Sequence, residues 1–242
     1  MNDNIEEVVH ILPPTLPRPC YDRSQMRGFV TFWCSFSVAV AGIAAAQVPM
    51  EREPHHHLVF KNEALSVFRP NIAPGETTLE HLHSHDEVTV CISGSSMRSH
   101  SPGADWSNPG RVCTPGQVSV TEYAGKPASH AVQNVGGGVF DLVVVDNLRQ
   151  RDWSTYQPVS AAATRLDGET RAFQIFEIKL DRGARGTSHV HRRPAILVLV
   201  SGEVTDGKKR LSQPGQWLLI SEGEPHRLSS PRDAQLIEIE VR

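Results

Sequence analysis

The chain has 242 residues, 39% of them hydrophobic and 21% charged, with a formal net charge of -3, which is ordinary for a soluble globular protein. Lys and Arg are scattered among the acids with no basic block, so nothing favours nucleic acid as a partner. The 18 Gly and 17 Pro, with many short Val/Leu/Ile runs and no long amphipathic pattern, point to an all-β chain with frequent turns.

Residues 1–25 are polar and proline-rich, with Pro13, Pro14, Pro17 and Pro19, and lack strand or helix periodicity. They read as disordered or as an over-long start of the gene. At Met26 the character changes. Arg27 is followed by an uncharged, mostly apolar run from Phe29 to Ala46, and Ala44-Ala45-Ala46 before Gln47 fits a small-residue cleavage site. Residues 26–46 therefore read as a secretory signal peptide. The alternative is an uncleaved anchor, since the run is about long enough to span a bilayer at roughly 17–25 residues. In both cases the remainder is expected to be periplasmic or secreted, and the membrane is a partner only through an uncleaved leader. Export leaves Cys91 and Cys113, which form either one disulfide or two small buried thiols. His55-His56-His57 reads as an exposed polar segment rather than a metal tract.

From Gly75 to Gly94 the chemistry is concentrated. His81 and His83 project from one face of an extended strand, and a tight turn brings Glu87 to the same point. Such a nitrogen and oxygen set suits a divalent metal if a fourth ligand arrives from elsewhere. Strand parity puts Thr89 and Cys91 on the side of Glu87, where they would line a pocket, while His85 reads as supporting or solvent-facing. Tyr123 and Trp106, between the motifs, read as packing residues. The pattern then recurs: Gly75, His81, His83 and Gly94 reappear as Gly183, His189, His191 and Gly202, each offset by 108. A constant offset over four positions indicates duplication. His130 follows the first copy and His226 the second, each after a Pro-Gly turn. Strands are expected at Leu65–Phe68, Val88–Ile92, Gln117–Thr121 and Phe140–Val145, and again at Phe173–Leu180, Ile196–Val200, Gln216–Ile220 and Leu236–Val241. Residues 148–169 are polar and read as a linker.

Gly75, His81-x-His83, Glu87 and Gly94 at these spacings resemble the first signature of the cupin superfamily. The segment Gly125-Lys126-Pro127-Ala128-Ser129-His130, with Asn134 beyond it, is similar to the second signature, although Gly and Pro are exchanged and Gly116 lies fourteen residues before His130. The resemblance implies an all-β bicupin of two tandem jelly-roll β-barrels, residues 55–147 and 170–242. It also implies one divalent transition metal (Fe, Mn, Ni, Cu or Zn) held by His81, His83, Glu87 and His130. Glu87 would double as the catalytic proton acceptor. In the second copy Ala195 stands where the glutamate belongs, and Arg192 and Arg193 follow His191. His189, His191 and His226 could still hold a second metal, as in the thiol dioxygenase branch, but a retained structural barrel is the reading adopted. The function so implied is an exported, metal-dependent dioxygenase-type oxidoreductase acting on a small organic molecule in the first barrel. The alternatives are a non-catalytic binding or structural bicupin and a cupin lyase, isomerase or decarboxylase. A homodimer is compatible with either.

Overall fold

A computed structural model describes residues 47–110, 112–149 and 164–242, without side chains for 164–167. The extension, the leader, Cys20, Cys34 and residues 150–163 of the expected linker lie outside the described residues.

The described residues are all-β. Sixteen strands run in chain order as β1 Val48–Pro49, β2 His56–Lys61, β3 Leu65–Ile72, β4 His81–His83, β5 Asp86–Ser93, β6 Met97–His100, β7 Val118–Thr121, β8 Ala128–Asn134, β9 Phe140–Asn147, β10 Thr164–Glu169, β11 Phe173–Leu180, β12 Ala195–Ser201, β13 Val204–Thr205, β14 Arg210–Leu211, β15 Trp217–Ile220 and β16 Ala234–Val241. All eight expected strands are present. The first barrel sets a five-stranded sheet, β2-β3-β9-β5-β7, with a four-stranded one, β1-β4-β8-β6. The second sets β10-β11-β16-β12-β15 with the β13-β14 ribbon and isolated bridges, among them His189↔His226. Before each histidine pair the chain turns through a glycine in the left-handed region, Gly75 at φ +84° and Gly183 at φ +80°, a conformation that side chains resist.

Two sequence expectations change. The barrel begins before residue 55: β1 pairs in parallel with β4 (Val48↔His81), and Met50 and Glu53 are buried. Next to an apolar leader, this segment is too short to show a period of its own. The expected linker ends early, because β10 pairs antiparallel with β11. A register shift between Leu166 and Gly168 is accommodated within the ladder.

Strand alternation divides the core. One face of the first large sheet (Leu65, Val67, Val88, Val90, Val143, Val145) packs with one face of the second (Phe173, Ile175, Ile196, Val198, Ile237, Ile239) in a single apolar cluster, as expected for sheets stacked face to face. The opposite faces line the barrel interiors, and these differ. The second interior is filled by Ile178, Leu197, Leu199, Leu211, Ile220, Leu236 and their neighbours. The apolar cluster inside the first is small, Met50, Phe68 and Val144 with Leu142 against it. Asn147 ties the units further, its Nδ2 donating to Ala172 O (3.0 Å) and Arg242 O (2.9 Å).

Cys91, on β5, is bonded to Cys113 with the Cα atoms 6.2 Å apart. The bridge closes a loop 22 residues long, for which the chain-entropy account gives about 3 kcal/mol. Cys113→Ser should therefore lower the urea midpoint by that equivalent. A midpoint matching oxidised wild type would show the thiols are not bonded.

Candidate metal centre

In the first barrel β4 and β8 pair antiparallel with His81 directly opposite His130. His83, two residues along β4, shares the face of His81. The three rings converge, with centroids 4.9 Å (His81 to His83), 4.8 Å (His81 to His130) and 4.7 Å (His83 to His130) apart. At a metal–nitrogen distance of about 2.1 Å a ring centre lies about 3.2 Å from the metal, so rings at right angles stand about 4.6 Å apart. The spacing fits one ion on three adjacent positions.

Hydrogen bonds set the tautomers. A carbonyl can only accept, so His81 Nδ1 donates to Leu79 O (2.8 Å). His83 Nδ1 likewise faces Glu87 Oε2 at 2.8 Å. The Nε2 lone pairs of both are thereby free to accept, yet both atoms are buried with no hydrogen-bond partner among the described residues. Each such orphan costs about 1–3 kcal/mol unless something fills it. Burial, reinforced by neighbouring imidazoles, lowers His81 to about 4 and His130 to about 3. Both are held neutral, as a metal ligand must be.

The structure therefore brings together three of the four expected ligands. His81, His83 and His130 each offer an atom to one cluster within 4.8 Å, and Glu87 stands outside it. Its carboxylate is occupied at Nδ1, across the ring from the Nε2 that faces the cluster, and so orients His83. Opposite Glu87 on β9 is Asp146. Burial, then the charge of Glu87, pushes Asp146 well up, and Ser66 Oγ donates to it at 3.3 Å. Thr89 and Cys91 lie on the interior face with Glu87, as parity requires, but Cys91 is committed to its disulfide. His85 is half-buried and lines a hollow of ≈ 40 Å³ with His83, Glu87 and Asp146. Trp106 packs on His100 under Arg98, apart from the cluster.

Two site residues differ from the sequence expectation, and a third, Glu53, is not singled out by it. His56, taken as exposed, is buried, with its ring 4.4 Å from that of His81. Tyr123 stacks on His83 at 4.9 Å and 29°. Glu53 joins the amino-terminal segment to the site, accepting from His55 N (2.8 Å), His56 Nδ1 (2.6 Å) and Leu79 N (3.1 Å). A glutamate three residues before a buried histidine was the signal, masked by two flanking histidines. Burial would raise Glu53, but the hydrogen bonds from His56 and His55 outweigh it and hold the carboxyl at about 2 against 4.5. Because the folded value is depressed, the stabilisation is present above pH 4.5 and is lost as pH falls toward 2. The shift corresponds to about 3 kcal/mol. Glu53→Gln should be less stable than wild type by that amount at pH 6 in urea unfolding, with the gap closing near pH 2. A gap independent of pH would refute the assignment.

The second barrel repeats the arrangement. His189, His191 and His226 form a cluster within 4.8 Å, with ring centroids 4.2 to 5.0 Å apart. His189 Nδ1 donates to Thr187 O at 3.0 Å, the repeat of the bond from His81. Burial, then the other two imidazoles, lowers His226 to about 4. Arg192 is exposed, whereas Arg193 is buried.

No family model matches the chain, and no curated protein matches it. Solved structures do. Over 76% of this chain and 89% of the other, it is similar to the bacterial pirin YhhW of Escherichia coli in complex with nickel(II), with 15% identity and a TM-score of 0.54. It is similar to a salicylate 1,2-dioxygenase of Pseudoaminobacter salicylatoxidans, solved as adducts with gentisate, over 75% and 70% of the two chains, with 12% identity and a TM-score of 0.55. A cupin 2 conserved barrel domain protein of Leptotrichia buccalis matches over 76% and 87%, with 9% identity and a TM-score of 0.50. The fold is of cupin type, two tandem jelly-roll barrels.

Proposed function

We propose that this cupin-fold chain is an exported, metal-dependent oxidoreductase of the dioxygenase type, acting on a small organic molecule in the first barrel. One observation carries the reading: three imidazoles each offer an atom to one cluster, and the Nε2 atoms of His81 and His83 are buried with no hydrogen-bond partner among the described residues. An imidazole set without thiolate suits Fe, Mn, Ni, Cu or Zn. Such an ion supplies Lewis acidity and open positions for small ligands. The chain's own residues do the rest. Leu79 O and Glu87 lock the rings of His81 and His83, and Tyr123 and His56 wall the cluster on two sides. The nickel(II) of YhhW and the gentisate of the salicylate dioxygenase support a metal and a small carboxylated ligand on this fold. The apolar run before Gln47 and the Cys91–Cys113 bridge support export.

The test is metal analysis of the mature protein, then oxygen uptake over a panel of phenolic, diketone and carboxylate compounds. Uptake with one of them, abolished by chelation, is expected. A metal-loaded protein inert to the whole panel would favour a metal-stabilised binding module. Amino-terminal sequencing of the mature chain checks export, and a product retaining Phe29 to Ala46 overturns cleavage.

A further inference from the structure

We propose that the second barrel is a metal centre in its own right, and that Glu240 on β16 supplies the carboxylate its first motif lacks. In the first barrel Glu87 on β5 faces Asp146 across the ladder to β9, and Glu87 holds His83 Nδ1 at 2.8 Å. In the second, Ala195 on β12 occupies the repeat position of Glu87 and faces Glu240 across the ladder to β16. Glu240 Oε1 meets His191 Nδ1 at 2.7 Å. Both barrels thus place a carboxylate oxygen on the same ring nitrogen of the same repeat histidine, but from opposite members of one cross-strand pair. Glu238, two residues back on the same face of β16, stands 3.7 Å from that nitrogen.

The consequence at the cluster is the same as in the first barrel. With Nδ1 committed as donor, His191 presents Nε2, which is buried without a partner among the described residues, as are both ring nitrogens of His226. His191 is 1% exposed, so water does not relieve it. Leaving these groups unsatisfied beside the apolar filling of this barrel would cost several kcal/mol at about 1–3 each. One divalent transition ion of the imidazole-preferring kind satisfies His191 Nε2 and one ring nitrogen of His226 together. Access is open: a hollow of ≈ 420 Å³, lined by Arg185, Ser188, Asp206, His226 and Arg227 among others, reaches the cluster.

The experiment is titration of the full chain with Co²⁺, read by visible absorption and calorimetry. Wild type is expected to take two ions per chain. A His81→Ala/His83→Ala/His130→Ala variant should still take one, and adding His191→Ala should remove it. Glu240→Gln in the triple variant, which keeps the shape of the side chain, should weaken this remaining site about 10–100-fold, the range for a carboxylate that orients a ligand. A triple variant that folds by circular dichroism yet takes no cobalt overturns the proposal. So does a Glu240→Gln variant with unchanged affinity. Loss of the first centre alone leaves the second-barrel site intact, so failure of the dioxygenase reading and failure of this one are distinguishable.

Discussion

His83→Ala is expected to remove the metal of the first barrel and abolish oxygen uptake, because it deletes an imidazole of the cluster that a carboxylate holds in place. One ring nitrogen faces the cluster and the other faces Glu87. The loss of affinity should exceed the range of about 10–100-fold that follows removal of an orienting partner. Glu87→Gln, by contrast, should fall within that range, since the carboxylate touches Nδ1 rather than the cluster. Metal content after dialysis against graded chelator separates the two. Equal loss in both variants would mean that Glu87 is itself a ligand, and retention of metal by His83→Ala would sink the site. His191→Ala should leave oxygen uptake in place while lowering total metal.

Phe173→Ala is expected to be the most damaging single change to stability. The side chain is 0% exposed and sits in the cluster formed by the facing sheets of both barrels. Such truncations cost about 3–5 kcal/mol, a large part of the roughly 5–15 kcal/mol that holds a domain together. At this chain length the melting temperature should drop by roughly 10 °C. The cluster belongs to both units, so they should unfold together. Calorimetry is expected to show one endotherm moving as a whole, and two endotherms with only the second displaced would overturn the shared core.

The fold was legible from sequence wherever a side chain obeyed strand parity within one segment. The duplicated His-x-His pairs, the Pro-Gly turns and eight strands came from local periodicity, and His130 and His226 from their place after each turn. What escaped depends on pairing between distant strands. Glu87 looked like a ligand because spacing cannot say which nitrogen of His83 its carboxylate meets. The second barrel's carboxylate is not visible in its motif because Glu240 lies 45 residues beyond Ala195 in the chain and becomes its neighbour only through the β12–β16 ladder. A trace of it was present: Glu238 and Glu240 alternate with apolar residues in a strand that ought to bury both faces. Glu53 and His56 were missed because the segment before residue 55 joins the barrel by a two-residue parallel pairing.

The displaced carboxylate also bears on the history of the duplication. Glu87 and Asp146 occupy both members of the cross-strand pair in one copy, whereas Ala195 and Glu240 leave a single acid in the other. A route between the two states exists in which no ancestor lacks an acid at the histidine: gain on the second strand, then decay on the first. The copy with both acids resembles the midpoint of that route. Signature-based comparison, which reads only the first strand, registers the acid missing at Ala195 and not the one that meets His191 from Glu240.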